Sequence, residues 1–272
     1  MNDIIISAER ERSNYWADFL RYRELLLFMV WRDLLVMYKQ TVVGVAWALL
    51  KPTLTMLIFT FIFGKVASFP SLGVPYPVLV LTGLLPWLFF SAGVGEAANS
   101  LLTNKQLVTK TYYPRMFTPI SAILVNIVEM FISSTLLVLL MLYYQVPLHK
   151  TILLLPLFIL MILAFTIGAS LLFSALNVKY RDFRYIIPFV LQLGLYCSPI
   201  GYSSTIIPDK WKLLFYLNPV SGIIDGFRWS ILGPGHPIYW PGFLLSGSIL
   251  VGCFWVGIWY FRKTEQFFAD WI

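Results

Sequence analysis

Six long apolar stretches leave this chain few ways to fold: Val42 to Gly64, Val78 to Leu102, Met116 to Tyr144, Ile152 to Leu176, Ile186 to about Tyr202, and Tyr239 to Tyr260. About 20 helical residues cross the hydrocarbon core of a bilayer. Backbone in lipid must satisfy its own N–H and C=O groups, so helices are expected throughout. Composition agrees, with 59% of residues hydrophobic and 12% charged. A soluble domain carries about twice that charged fraction. The expected fold class is therefore an all-α integral membrane protein with six transmembrane helices. Lys51-Pro52 interrupts the first stretch near its inner end, where proline kinks the helix and lysine can snorkel to the interface. Pro188 and Pro199-Ile200-Gly201 break the fifth, and Gly168, Ala169 and Ser170 offer the fourth a small-residue face for close helix packing.

The basic residues fix the orientation. Arg10, Arg12, Arg21, Arg23, Arg32, Lys39, Lys105, Lys110, Arg115, Lys179, Arg181, Arg184, Arg262 and Lys263 all fall on one side of a six-span path. Lys65, Lys150, Lys210, Lys212 and Arg228 fall on the other. The richer side is cytoplasmic by the positive-inside rule. Both termini are then cytoplasmic in an inner, multi-pass membrane location. Met1 to Ser7 lacks the basic start and cleavage site of a signal peptide. The net charge of +7 comes from small groups beside apolar runs. That placement fits topology and lipid contact rather than nucleic acid.

The chain divides into an N-terminal region (1–41), a transmembrane domain (42–262) and a cytoplasmic tail (263–272). Between Arg10 and Lys39, charges alternate with Tyr15, Trp16, Phe19 and the run Leu25 to Trp31. An amphipathic helix in the cytoplasmic headgroup layer fits this mixture. Arg21, Arg23, Arg32 and Lys39 would contact lipid headgroups there, or act only as topology signals.

Two polar islands interrupt the apolar pattern. Asn104 to Arg115 holds three cations and no carboxylate. Leu107, Val108 and Thr111 recur at helical spacing, Tyr112 and Tyr113 follow, and Pro114 closes the segment. A short helix with an apolar face is expected, and such a face suits docking onto another protein. Lys105, Gln106, Leu107, Val108, Lys110, Tyr112, Tyr113, Pro114 and Arg115 are its candidate contacts. The second island (177–185) carries Lys179, Tyr180, Arg181, Asp182 and Phe183, as a smaller contact or simply a basic turn. From 203 to 235 the sequence is neither a clean span nor a soluble loop. Two short amphipathic helices there, tilted into the outer leaflet or partly re-entrant, fit its length and composition.

Catalytic signatures are sparse. No Cys-x-x-Cys, His-Glu-x-x-His or Gly-x-Ser-x-Gly occurs, and no Walker A motif. His149 and His236 sit in expected external turns, no metal cluster is indicated, and Cys197 and Cys253 form no disulfide framework. An ion-coupled transporter would carry several ionisable groups at mid-bilayer. Glu129 and Glu96 alone qualify. Glu129 is either a functional group or a structural hydrogen-bond partner, and one glutamate makes no proton relay. Most aromatics occupy interfacial belt positions. A minority, Phe89 and Phe90 among the candidates, could line a path for sugar rings.

Five stretches carry a family resemblance. They are Tyr38 to Pro52, Leu81 to Ser91, the island ending Tyr113-Pro114-Arg115, Asn177 to Phe183, and Leu217-Asn218-Pro219-Val220 with Gly226-Phe227-Arg228. In this order they resemble the membrane subunit of ABC-2 type exporters that move lipid-linked O antigen, capsule or teichoic acid. The resemblance implies a homodimer around a central channel, driven by two copies of a separate ATPase that binds the ATP and Mg. No cofactor is then bound by this chain. It further implies an N-terminal interface helix, a coupling helix at 104–115, and external gate helices at 203–235. Asn218, Pro219, Phe227 and Arg228 would belong to that gate, with Glu129, Phe89 and Phe90 in the channel. The alternatives are an ABC-2 exporter of lipid or drug, and a membrane-embedded glycosyl or acyl transferase, which the scarcity of catalytic residues disfavours.

Overall fold

The computed structural model describes residues 15–39, 44 and 46–271. Arg10, Arg12 and the expected start of the first span at Val42 lie outside the described residues. Within them the chain is helical: α1 (Tyr15–Arg21), α2 (Arg23–Lys39), α3 (Ala46–Phe59, running on into a π-helical turn Thr60–Val66), α4 (Tyr76–Thr103), α5 (Lys105–Lys110), α6 (Phe117–Tyr143), α7 (Leu155–Lys179), α8 (Phe183–Cys197), α9 (Asp209–Phe215), α10 (Pro219–Leu232), α11 (Trp240–Thr264) and α12 (Phe268–Trp271).

Five helical segments are long and apolar enough to cross a membrane: Ala46–Val66, Tyr76–Thr103, Phe117–Tyr143, Lys150–Lys179 and Trp240–Trp271. The stretch expected as the fifth of the six spans, Ile186 to about Tyr202, overlaps α8, a helix of 15 residues. At 1.5 Å per residue that is about 22 Å, less than the roughly 30 Å hydrocarbon core. The helix ends at Cys197, and the extended backbone at Ser198 is what the following Pro199 demands of its predecessor.

α4 is the centre of the bundle. It packs against α3, α6, α7, α8 and α10. Its first half, Val78 to Phe90, is buried almost without interruption, which accounts for a sequence apolar on every face. α7 and α11 cross closely. A Cβ added to Gly168 would come within 2.5 Å of the Phe254 Cα, and one added to Gly257 would strike the Gly168 carbonyl. The small-residue face expected at Gly168-Ala169-Ser170 thus sets the distance of this crossing.

At one end of the bundle α10 is sunk between α4, α7 and α11, and 13 of its 14 residues are buried. At the other end α1, α2, α5 and α12 gather around the ends of the long helices. Val108 of α5 joins Leu101, Met116, Leu171, Phe261 and Phe268 in a second apolar cluster.

Candidate functional site

The segment from Asn104 to Arg115 folds as one short helix followed by extended chain. α5 covers Lys105–Lys110, and Thr111 is already extended. Asn104 forms the corner. Its Nδ2 donates to the Ser100 carbonyl at 3.0 Å, and its Oδ1 accepts from Arg32 Nη2 at 3.2 Å, which ties α2 to the corner. The apolar face expected to meet a partner is instead turned onto the chain itself: Val108 is 1% exposed, and Leu107 packs against Met29, Tyr113 and Phe117. A six-residue helix is too short to hold its shape in water alone, so its apolar residues are needed as anchors. Lys105, Gln106, Lys110, Thr111 and Tyr112 remain exposed on the opposite side.

The chain after α5 is held by the side chains of Tyr113 and Arg115, and Tyr112 reaches α1 from its exposed side. Tyr113 is buried, and its hydroxyl lies 2.7 Å from Thr118 Oγ1. Burial raises its pKa above the ordinary tyrosine value. Arg115 Nη1 donates to the Glu265 carbonyl, joining the segment to the chain beyond α11. Tyr112 is 54% exposed, and its hydroxyl reaches Asp18 Oδ2 of α1 at 3.5 Å. Pro114 is buried beside them.

A groove of about 1110 Å³ opens between α1, this segment and the last turns of α11. Tyr15 donates to Glu265 Oε2 at 3.2 Å across its floor. Burial and then the Glu265 charge hold the Tyr15 hydroxyl well above the usual phenol range. The Arg262 guanidinium lies 4.5 Å from the Tyr15 ring and 5.6 Å from that of Trp16. In the sequence Arg262 stands out only as a cytoplasmic-side cation, and the groove is not legible there because its walls come from segments some 90 to 250 positions apart.

The other candidate residues fall in separate places. In the second island Lys179 and Tyr180 are exposed, with the ammonium 4.9 Å from the ring, and Arg181 and Asp182 are also exposed. Phe183 is half-buried, while Asn177 Nδ2 donates to the Ala98 carbonyl at 2.8 Å and so locks α7 to α4. Among the proposed headgroup cations, Arg21, Arg23 and Lys39 are exposed. Arg32 is engaged, pairing with Asp33 at 2.7 Å as well as bonding Asn104.

Glu129 and Phe89 share a cavity of about 280 Å³ with Glu96, Asn126, Lys51 and Trp47. Asn126 Nδ2 donates to Glu96 Oε2 at 2.7 Å. Phe90 lies outside it, stacked on Phe165 at 4.9 Å between ring centroids.

The gate candidates build a buried network at the α10 end. Asn218 caps α10, its Oδ1 accepting from the Val220 N–H at 3.1 Å, and its Nδ2 donates to Ser198 Oγ at 2.9 Å. Pro219 occupies the first turn and is buried, as is Phe227. Arg228 is 1% exposed and donates to the carbonyls of Tyr202 (2.7 Å), Ile200 (2.9 Å) and Leu79 (3.3 Å). Gly83 makes room for it, since a Cβ there would lie 3.0 Å from Nη2. Tyr216 donates to Asp225 Oδ2 at 2.5 Å. Burial brings the Arg228 pKa down to about 10 and raises that of Asp225. Burial, helped by the Arg228 charge, takes His236 down to about 4. Asp225 stands three residues before Arg228 on one helix, a spacing that could have marked the pair in the sequence.

No cluster able to hold a metal ion occurs among the described residues. The arrangement offers helix packing, an exposed polar face at the basic end and two cavities of different character. The ABC-2 type transporter family matches residues 24–232. The chain belongs to that family. It is 29% identical over 93% of its length to an O-antigen export system permease protein of Myxococcus xanthus, covering 97% of that protein. A permease of the same description from Klebsiella pneumoniae is 30% identical over 91% of this chain and 94% of its own. A polysialic acid transport protein of Escherichia coli is 23% identical over 76% of this chain and 78% of its own. This ABC-2 family member is a multi-pass membrane protein, and the relatives it matches over most of its length are transport permeases.

Proposed function

We propose that the chain is the membrane permease of an ATP-driven exporter that carries a lipid-linked polysaccharide across the cytoplasmic membrane. The observation that carries this reading is similarity to O-antigen export permeases over more than nine-tenths of the chain, in a sequence without a Walker A motif. In this reading energy comes from two copies of a separate ATPase, which holds the ATP and Mg, and this chain binds no cofactor. Two copies of the permease enclose the path. The apolar residues exposed along α8, among them Phe189, Leu193 and Tyr196, support a role for that short helix as the fifth of six spans, completed by the chain around it. Both termini then lie inside, with the basic end of the bundle.

The ATPase seats against the exposed side of Lys105 to Tyr112. Motion passes through the buried anchors Val108 and Tyr113 into the ends of α4 and α6, and through Arg115 to the chain beyond α11. The second island is a lesser contact. The α10 end forms the outer gate, and Glu129 lies beside the path. Neither polar pocket presents the convergent nucleophile and base of an enzyme.

The test is export of a fluorescent lipid-linked glycan in vesicles holding the permease and its partner ATPase. ATP-dependent accumulation of the glycan, absent without the ATPase, is the expected result. Export of phospholipid or drug with the glycan left behind would overturn the substrate assignment.

A further inference from the structure

The groove at the basic end has a chemical character that the coupling role draws on only at Lys110. One wall is the last turns of α11, where Trp255 and Trp259 are 64% and 61% exposed and are followed at once by Arg262 and Lys263. Aromatic residues passing into cations mark the headgroup level of a bilayer. Trp16 of α1, 51% exposed, stands on the facing wall, and Lys110 of α5 on the third. The mouth therefore opens where lipid headgroups lie.

Charge in the groove is unbalanced. Four cations line it, Lys110, Arg115, Arg262 and Lys263, against the carboxylates of Asp18 and Glu265. Both carboxylates already accept protein hydrogen bonds, from Tyr112 and Tyr15. Arg262 Nε is buried and has no acceptor among the described residues. That guanidinium packs beside the Tyr15 and Trp16 rings and lines the groove, so the atoms that face the groove are the part left to a ligand. Lys263 lies 5.0 Å from the Trp259 ring, and Lys110 lines the groove from an exposed position. A planar fork beside two ammonium groups suits a phosphate, and the tryptophans offer the glycerol and upper acyl region an amphipathic surface.

We propose that this groove holds the headgroup of an anionic membrane phospholipid, which bridges the coupling segment through Lys110 to the end of α11 through Arg262 and Lys263. Bulk phospholipid is the occupant because the tryptophan wall faces lipid, away from the buried cavity that holds Glu129. The bound phosphate braces α5 against the last span.

The permease with its partner ATPase, exchanged into micelles of equal phosphatidylglycerol and phosphatidylcholine, is analysed for retained lipid by native mass spectrometry. Phosphatidylglycerol is expected to be enriched. R262Q/K263Q should lower the enrichment by roughly fivefold per cation removed. K110Q, at an exposed position, should lower it by a single such factor and serves if the double variant fails to fold. R181Q/R184Q, which removes two exposed cations elsewhere at the same end, should leave it intact. Enrichment that survives both groove variants, or falls equally in R181Q/R184Q, overturns the proposal. So does enrichment that disappears when the ATPase is bound, since the groove is then a protein contact. Displacement of phosphatidylglycerol by an equal amount of a polyprenyl diphosphate would reassign the groove to the substrate.

Discussion

Arg228 and Arg262 stand at opposite ends of the same bundle and are treated in opposite ways. Arg228 is enclosed by α10, α4 and the turn after α8, and donates to three carbonyls. Arg262 lies against two aromatic rings at the edge of an open groove, with its Nε unmatched. At the α10 end the polar groups are spent on holding the chain to itself. At the basic end only some are, and the remainder face outward. A closed end that keeps its shape and an open end with exposed polar groups are what the proposed coupling from one side would require.

The contrast can be broken most severely at Arg228. Arg228→Met strands the carbonyls of Tyr202, Ile200 and Leu79. Each buried acceptor left without a donor costs about 1–3 kcal/mol. A large drop in melting temperature and in recovery of folded protein from detergent is expected, while Arg262→Gln changes melting little. Equal melting of the two variants would mean the ends are not built differently.

Next comes the α7–α11 crossing that joins them. Gly257→Leu drives a side chain into the Gly168 carbonyl, and overpacking of this kind costs about 1–3 kcal/mol or more where backbone cannot move. Lower thermal stability is the expected result, with partial recovery in Gly257→Ala.

Acid should act on the closed end. The folded His236 titrates near 4, below its ordinary 6.5. The folded state therefore favours neutral imidazole, and the unfolded chain binds more protons between these values. His236 contributes stability that is complete above about pH 6.5 and is lost as pH falls toward 4. Melting curves across that range should show the loss, and His236→Gln should flatten it. The smallest effect lies within the open end: Tyr113→Phe forfeits one buried hydrogen bond to Thr118, about 1 kcal/mol, whereas Tyr112→Phe should leave melting unchanged.

Much of this architecture was legible in the sequence, and the exceptions have physical reasons. Apolar runs of about 20 residues announce spans because lipid leaves the backbone no alternative, and the Gly168 face marked a close crossing. The fifth stretch was harder: Pro199 cut its helix to 15 residues, and hydropathy continued past the break. Periodicity placed Leu107 and Val108 on the apolar side of α5, while Thr111 lies exposed beyond its end, and it did not name the partner, since an anchor onto one's own helices and a docking face have the same pattern. Arg228 read as a gate or exterior charge because its three acceptors are carbonyls of residues 26, 28 and 149 positions away, and carbonyls leave no mark in composition. The groove at Arg262 was hidden for the same reason of sequence distance.

The claim that the open end takes the ATPase is tested most directly on residues that do not hold the fold. Lys105, Gln106 and Tyr112 are exposed, so replacing all three with alanine should leave the melting temperature of the permease close to wild type. Export of the labelled glycan by vesicles with the partner ATPase is then measured beside retention of that ATPase on the purified permease. Loss of export with weakened retention is the predicted result. Full export with unchanged retention would contradict the account.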